Sequence, residues 1–379
     1  MFMFKNLTRK NSLRYLSNIP GWRTKRKFVV LESDDWGSIR TPSKDVFDHL
    51  IKAGIDLVND PGLIFNKYDT FATAEDLEFL FDILLSVKDY TGRSAVLTPV
   101  SVTANPDFEK ISQSDFKEYF YEPFTMTLSR YPGCENSFTL WKEGIDKRLF
   151  MPQFHGREHL NVKVWMKALR EKNQKARVAF DNKMWGISTA NESDIDIEFQ
   201  AAFDFTDRED LEYHKEIIIS GLNLFHRLFN YRATYLVPPN GLMSSELEPV
   251  CFGEGIKIIS VSKLQIEPLG AKRKRKKLHW MGEKNKSGLR YLTRNCLFEP
   301  HQNTKDWVDS CLHDISVAFR WHKPAVISSH RVNYVGTLDK QNRDIGLKNL
   351  ESLLKNIMKK WPEAEFITSA ELGEIINND

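Results

Sequence analysis

His155 and His159, spaced four residues apart in the stretch HGREH, are the side chains of this sequence best suited to share a metal ion. Residues at positions i and i+4 lie on one face of a helix, so the spacing predicts that both imidazoles reach a single cation. Two imidazoles and one carboxylate leave a coordination position open on zinc, which is typical of a catalytic site. The carboxylate must come from elsewhere, and Asp34 and Asp35 are the candidates.

The adjacent aspartates follow an apolar run, and we expect their side chains to point in different directions. One can then bind the metal while the other accepts a proton. Other polar groups also follow apolar runs, namely PPNG at 238–241 and His330. Each motif alone is more often a turn or a solvated polar group, but their coincidence at strand ends favours a shared site.

The spacing of apolar residues predicts the strands and helices that position these motifs. Helical spacing predicts helices over 74–88, 211–229 and 344–361. Apolar, β-branched runs predict strands over 27–33, 94–100, 148–154, 233–237, 255–261, 324–329 and 365–368. Strands alternating with helices predict an α/β fold with a mostly parallel sheet, and seven or eight such units close into a barrel. Reacting groups of such barrels lie at the carboxyl ends of the strands.

Length and composition fit one large domain. The chain has 379 residues, of which 41% are hydrophobic, and we expect a single barrel domain over 1–379 with a catalytic core of about 27–370. The net charge is only +3, so no nucleic-acid partner is expected from overall charge. A basic run at 272–277 is interpreted as part of a solvated loop at 271–288, with polyanion binding as the alternative.

Targeting and redox signals are weak. The four cysteines form no C-x-x-C pair, which argues against a zinc ribbon or a redox motif and suits a reducing compartment. The apolar residues 1–4 are too few for a signal peptide, and no apolar run of about eighteen residues predicts a membrane span. The sequence therefore predicts a cytoplasmic protein, and it leaves the oligomeric state open.

The order of these motifs resembles the polysaccharide deacetylase family, carbohydrate esterase family 4. The family's Thr-Phe-Asp-Asp-Gly corresponds to ESDDWG at 32–37, and its His-Ser/Thr-x-x-His corresponds to HGREH at 155–159. Its Arg-x-Pro-Tyr-Gly corresponds to VPPNG at 237–241, and its strand ending in Leu-x-His corresponds to ISSH at 327–330. The resemblance implies a distorted (β/α)7 barrel that removes an acetyl group from an N-acetylated sugar of a glycan or a glycan precursor.

The resemblance also implies roles for individual residues. Asp34 would be the catalytic base and His330 the general acid. Asp35, His155 and His159 would bind a divalent metal, with zinc favoured. The expected substrate-binding residues are Trp36, Pro239, Asn240, Arg331, Arg294 and Glu299.

The sequence departs from the family pattern at three places. Val237 replaces the arginine that orients the base, and Arg232, Arg331 or Arg40 could substitute for it. Asn240 stands where the family usually has an aromatic residue. The stretch between the first and second motifs is long, which predicts an insertion within 40–145.

Three other functions are compatible with parts of the pattern. HGREH matches the H-x-x-E-H motif of zinc peptidases, although that motif needs a further, downstream glutamate ligand on a helix. Two histidines and a carboxylate also occur in mononuclear iron oxygenases, although those enzymes usually have all-β folds. A catalytically inactive glycan-binding homologue is the third alternative, because of Val237 and Asn240.

Overall fold

A computed structural model describes residues 15–59, 61–189, 195 and 197–379, so residues 1–4 lie outside it. The strands are β1 Lys27–Trp36, β2 Leu97–Ser101, β3 Ala104–Pro106, β4 Tyr121–Pro123, β5 Gln153–Phe154, β6 Tyr235–Leu236, β7 Ile258–Val261, β8 Leu264–Pro268, β9 Lys274–Leu278, β10 Arg290–Thr293, β11 Cys296–Leu297, β12 Ala325–His330 and β13 Ala364–Phe366.

Helices connect most of these strands. The α-helices are α1 Lys44–Lys52, α2 Ala74–Ser86, α3 Phe108–Gln113, α4 Phe124–Leu128, α5 Ser137–Asp146, α6 Val162–Arg170, α7 Gln174–Asp181, α8 Asp210–Phe229, α9 Glu248–Gly253, α10 Trp307–Arg320, α11 Lys340–Lys360 and α12 Ser369–Asn378. Short 3-10 helices cover Pro61–Lys67, Pro239–Gly241, Ser245–Leu247, Pro300–Gln302 and Arg331–Asn333. None of the helices in the described ranges is both long enough and apolar enough to cross a bilayer.

The main sheet is parallel and strongly curled. Its strand order is β10-β7-β6-β5-β2-β1-β12-β11, and β13 adds to the start of β1. The two edge strands, β10 and β11, are separated in sequence only by Arg294 and Asn295. Because consecutive Cα atoms are about 3.8 Å apart, this short connection brings the two edges within about 11 Å of each other. The sheet is therefore a distorted barrel, and the α/β prediction is confirmed.

The alternation of side chains along β1 separates two layers of the core. Phe28 and Val30 pack in a cluster with Val100, Tyr235, Ile258, Leu292 and Val326, which come from five other strands and fill the barrel interior. Val29 and Leu31 belong to the larger cluster between sheet and helices. Because the strand period is two, Glu32 and Asp34 continue the inward-facing row. β1 thus places the side chains of Glu32 and Asp34 inside the barrel, at the end where the parallel strands terminate.

Most predicted elements are present, with shifted ends. The helix predicted over 344–361 begins earlier, at Lys340, because Asp339 caps the backbone N–H groups of Gln341 and Asn342. Its first turn is polar, so apolar spacing gave no sign of it. The strand predicted over 148–154 is reduced to Gln153–Phe154, since Pro152 cannot donate a ladder hydrogen bond.

The basic run differs from the expected loop. Lys274–Leu278 is a strand that pairs antiparallel with Leu264–Pro268, so only the flanking parts of 271–288 remain irregular. The partner strand supplies Glu267, whose carboxylate accepts hydrogen bonds from Arg275 and lies near Lys277. The negative charge of Glu267 offsets the repulsion between the neighbouring cations, so the basic run can form a strand.

Candidate metal centre and active site

Asp34 and Asp35 lie where β1 becomes irregular. Asp34 is in register with His330 of the parallel neighbour β12. The pairing with β2 shifts between Ser33 and Trp36, and Asp35 adopts a left-handed backbone with φ 71°. Such an irregularity re-aims side chains at the end of a strand. The two carboxylates consequently point to different partners, as expected from the sequence.

His155 and His159 are not on a helix, so that part of the prediction is wrong. Both lie in the irregular segment between β5 and α6, where Gly156 has φ +99° and turns the chain. The backbone N–H of His155 still donates to the Ser101 carbonyl at 2.8 Å, which ties the loop to β2. The histidines converge because the loop folds back, with ring centroids 5.0 Å apart.

Asp35, His155 and His159 form a compact buried triad. The Nε2 atoms of His155 and His159 lie 3.5 and 3.4 Å from Asp35 Oδ1. His155 Nδ1 lies 2.7 Å from the Val237 carbonyl oxygen, which can only accept, so Nδ1 donates this hydrogen bond and Nε2 faces Asp35. Burial lowers the pKa of His159 to about 3, so the His159 ring is neutral.

These atoms fit a metal ion. One ligand atom from each of the three residues lies within 4.8 Å of the others. His155 Nε2 is buried and has no hydrogen-bond partner among the described residues. A cation shared by this nitrogen and the Asp35 carboxylate would satisfy both buried groups. Two imidazoles and one carboxylate are a donor set that zinc accepts.

Arg294 holds Asp34 from the other side. Its Nη2 and Nη1 donate to the two Asp34 carboxylate oxygens at 2.6 and 2.5 Å, and its Nε donates to Glu32 Oε2 at 2.6 Å. Burial raises the pKa of Asp34, but the Arg294 charge and hydrogen bonds outweigh burial and lower that pKa below its usual value. Asp34 is therefore an oriented carboxylate. The arginine that binds Asp34 is thus Arg294, whereas Arg331 pairs with Asp69 and Arg40 lies near Asp35 and Asp69.

His330 lies beside Asp34 and is held by Glu299. Its Nδ1 lies 2.5 Å from Glu299 Oε1, and its Nε2 lies 3.9 Å from Asp34 Oδ2. Burial lowers the pKa of His330, but the carboxylates of Glu299, Asp35 and Asp34 outweigh burial and raise it to about 9. His330 is thus protonated at neutral pH. With Nδ1 donating to Glu299, the proton on Nε2 is directed into the cavity.

All five residues with predicted metal or catalytic roles line one cavity of about 610 Å³. Of the predicted substrate-binding residues, Arg294 and Asn240 also line it. The other four predicted substrate-binding residues lie behind the residues that line the cavity. Trp36 packs against Trp141 and Phe150, Arg331 pairs with Asp69, Glu299 supports His330, and Pro239 is buried in the 3-10 turn.

Arg331 and Arg40 support the site through a shared carboxylate. Arg331 donates to both oxygens of Asp69 at 2.9 Å and is almost fully buried. Arg40 lies 3.5 Å from Asp69 and 3.5 Å from Asp35. Burial raises the pKa of Asp35, yet interactions led by the Arg40 charge outweigh burial and lower it well below its usual value. Asp35 is therefore ionised and ready to bind a cation.

Sequence reasoning missed Phe65, which lines the cavity from the segment expected to be an insertion. Its ring centroid lies 4.8 Å from that of His330, and the Arg40 guanidinium lies 5.3 Å from the Phe65 centroid. The ring therefore covers one side of the His330 imidazole. Phe65 belongs to a short apolar 3-10 stretch with no periodicity, so no sequence signal distinguished it from ordinary packing residues.

Comparisons with known proteins identify the fold only. No family model matches the sequence, and no curated protein matches it either. Among solved structures, a candidate glycoside hydrolase/deacetylase from Parabacteroides distasonis has a TM-score of 0.51 at 9% identity, with 94% of this chain and 72% of that one covered.

Two further structures are less similar. A candidate polysaccharide deacetylase from Mycobacterium smegmatis has a TM-score of 0.43 at 9% identity and covers 95% of this chain and 93% of its own. The 4-alpha-glucanotransferase from Thermococcus litoralis has a TM-score of 0.44 at 9% identity and covers 92% of this chain, which spans only 40% of that enzyme. Only the Parabacteroides distasonis structure, among these three, is similar enough to support a shared fold.

Proposed function

We propose that this protein is a metal-dependent hydrolase that removes an acetyl group from an N-acetylated sugar of a glycan or a glycan precursor. One observation carries the proposal. The Asp35, His155 and His159 triad lines one cavity together with an arginine-bound carboxylate, Asp34, and a protonated imidazole, His330. The arrangement offers a cation site, a base and an acid around a single reacting centre.

A divalent ion held by Asp35, His155 and His159 would polarise the acyl carbonyl and lower the pKa of water from about 15.7 toward about 7. Asp34 accepts the proton of the attacking water. Its low pKa keeps it ionised, and Arg294 fixes the carboxylate so that its remaining lone pairs face the cavity. General-base help of this kind contributes about 10²–10⁴-fold.

His330 supplies the proton that the leaving nitrogen needs. An amine is a poor leaving group unless it is protonated, and the raised pKa of His330 keeps a proton on the imidazole at neutral pH. Because Nδ1 donates to Glu299, the transferable proton is the one on Nε2. The two proton-transfer groups are therefore held in opposite ionisation states, which is what an acid–base pair requires.

The peptidase alternative loses support from the geometry. An H-x-x-E-H site needs its histidines on a helix and its glutamate near the metal. His155 and His159 lie in a loop, and Glu158 Oε1 accepts hydrogen bonds from Arg157 at 2.7 Å and Tyr119 at 3.0 Å. Glu158 is thus turned away from the cavity lining.

The test is acetate release from N-acetylglucosamine oligomers by protein stripped of metal and then reloaded with zinc. Zinc-dependent release that Asp34→Asn abolishes is the expected result. Asp314→Asn is the matched control, because it removes a carboxylate from the wall of the same cavity and should retain activity. Stoichiometric zinc without release from any N-acetylated oligomer would contradict the reaction. Sugar binding by a protein that takes up no zinc would instead favour the inactive glycan-binding homologue.

A further inference from the structure

The β8–β9 hairpin has an unusual distribution of side chains. Directly paired residues of an antiparallel hairpin lie on the same face. Gln265 pairs with Lys277 and Glu267 pairs with Arg275, and both Gln265 and Glu267 are buried. Glu267 accepts from Arg275 at 2.9 and 2.7 Å and from the Ser245 hydroxyl at 2.6 Å. The face that packs against the protein is therefore polar and ionically compensated.

The apolar residues of the hairpin are on the opposite, outward face. Leu264 and Leu278 pair directly with each other and are 47% and 60% exposed. Ile266 pairs with Lys276 on the same face. Trp280 follows Leu278 at the same alternation and is 39% exposed, while His279 between them is buried. Ordinary amphipathic hairpins bury such side chains, so this exposure points to a surface outside the molecule.

The outward face is also cationic. Whereas the inward Arg275 and Lys277 share Glu267, the outward Lys274 pairs with Asp204 at 3.4 Å. The outward Lys276 has no acidic side chain within ion-pair distance among the described residues. Lys272 and Arg273, at the turn, are exposed. This combination of side chains suits a lipid surface. The leucines and the tryptophan can enter the hydrocarbon boundary, and a lysine beside them can contact the phosphates.

We propose that this face, formed by Leu264, Ile266, Lys276, Leu278 and Trp280, binds reversibly to an anionic membrane surface. The leucines and the tryptophan enter the interfacial region, and the lysine contacts lipid phosphates. Charge complementarity selects anionic lipid over neutral lipid. A soluble polyanion would use the lysines but would gain nothing from a pair of exposed leucines.

The hairpin starts at the wall of the candidate active site. Ser262 and Lys263 line the cavity, and Leu264 follows them directly. Lys272 and Lys274 line a neighbouring depression that shares Asn240 with the cavity. Membrane binding would therefore place the cavity beside the lipid surface. If the proposed function holds, on which this step rests, the substrate class is an N-acetylated sugar attached to a lipid carrier.

The test is cosedimentation of the full chain with vesicles of phosphatidylcholine, alone or mixed with phosphatidylglycerol. We expect binding to the mixed vesicles only, and weaker binding as salt rises. Leu264→Ser with Leu278→Ser should lower the partition coefficient at least about tenfold. Lys276→Glu should lower it roughly tenfold. Leu85→Ser, which alters an equally exposed leucine on α2, is the matched control and should bind like the wild type.

Several outcomes would overturn the inference. They are equal binding to both vesicle types, no binding to either, and unchanged binding by the double serine variant. Retention on heparin that depends on Lys276 but not on the leucines, without vesicle binding, would identify a soluble polyanion instead. Thermal unfolding of each variant checks its fold. Because no sugar substrate is used, failure here leaves the proposed hydrolysis untouched.

Discussion

Arg294 donates to both carboxylate oxygens of Asp34, although the two residues are 260 positions apart in the chain. Arg294 lies in the two-residue connection between the edge strands β10 and β11, and Asp34 lies near the end of β1. β12 is between β11 and β1 in the sheet, and Arg294 Nη1 also donates to Ser328 Oγ of β12 at 3.2 Å. The orientation and ionisation of Asp34 therefore depend on the correct pairing of β11, β12 and β1.

Asp34→Asn should reduce kcat by about 10²–10⁴-fold, because the variant cannot accept a proton from water. Arg294 keeps Glu32 as a partner, so the fold should persist. Zinc content should stay at the wild-type level, since Asp34 is not in the triad. Elemental analysis beside acetate release checks both statements, and wild-type turnover by the variant would show that Asp34 is not the base.

Arg294→Gln should lower the free energy of unfolding by about 3–5 kcal/mol, because it leaves the buried Glu32 and Asp34 without their cation. Arg294→Lys keeps a charge but loses the two-pronged contact. We expect the lysine variant to fold and to need higher pH for activity, since the pKa of Asp34 rises. Denaturant unfolding measures the stability of the glutamine variant. The acidic limb of kcat/KM against pH tests the lysine variant. An unchanged acidic limb in the lysine variant would argue against a role for Arg294 in keeping Asp34 ionised.

His155→Ala should abolish zinc binding, because it removes one of three ligands and leaves the other two unable to hold the ion tightly. His49→Ala, at an exposed position of α1, is the control and should retain zinc. Elemental analysis after dialysis and calorimetric zinc titration of the stripped proteins give the comparison. Tight one-to-one binding by the His155 variant would exclude the triad as the metal site.

Activity should fall as pH rises through about 9, because His330 must be protonated to act as the acid and its pKa is about 9. Glu299→Gln removes the carboxylate that raises this pKa, so the alkaline limb should move to lower pH by about one unit or more. The exposed Glu374→Gln should leave the limb in place. The measurement is kcat/KM across the alkaline range, and coincident limbs for both variants would contradict the assignment of His330.

Gly346→Ala should destabilise the protein by about 1–3 kcal/mol or more, because a Cβ there would lie 1.7 Å from the Asn333 carbonyl oxygen. Asn333 also donates to Glu299 Oε2 at 2.8 Å, so activity should fall along with stability. Gly253→Ala is the matched helical control, since nothing lies within 4 Å of its Cβ position. Denaturant midpoints provide the comparison, and equal midpoints for the two variants would refute the close packing of α11 on the turn after β12.

Local patterns predicted many of the strands and helices, because strand and helix periods are written in neighbouring residues. The spacing of His155 and His159 predicted that they lie close together, but the same spacing is compatible with a loop, and Gly156 turns the chain there. The Arg294–Asp34 pair was missed because no local pattern connects residues 260 positions apart that lie on different strands. The cavity role of Phe65 likewise depends on tertiary folding.

The short connection at Arg294 and Asn295 has a consequence for thermal inactivation. If the two sheet edges move apart on heating, the guanidinium is withdrawn from Asp34 before the helices melt. The buried carboxyl then takes up a proton and can no longer act as a base. On heating, the loss of activity is thus expected at a lower temperature than the loss of helical circular dichroism. The reaction rate would then report the opening of the barrel before the helices unfold.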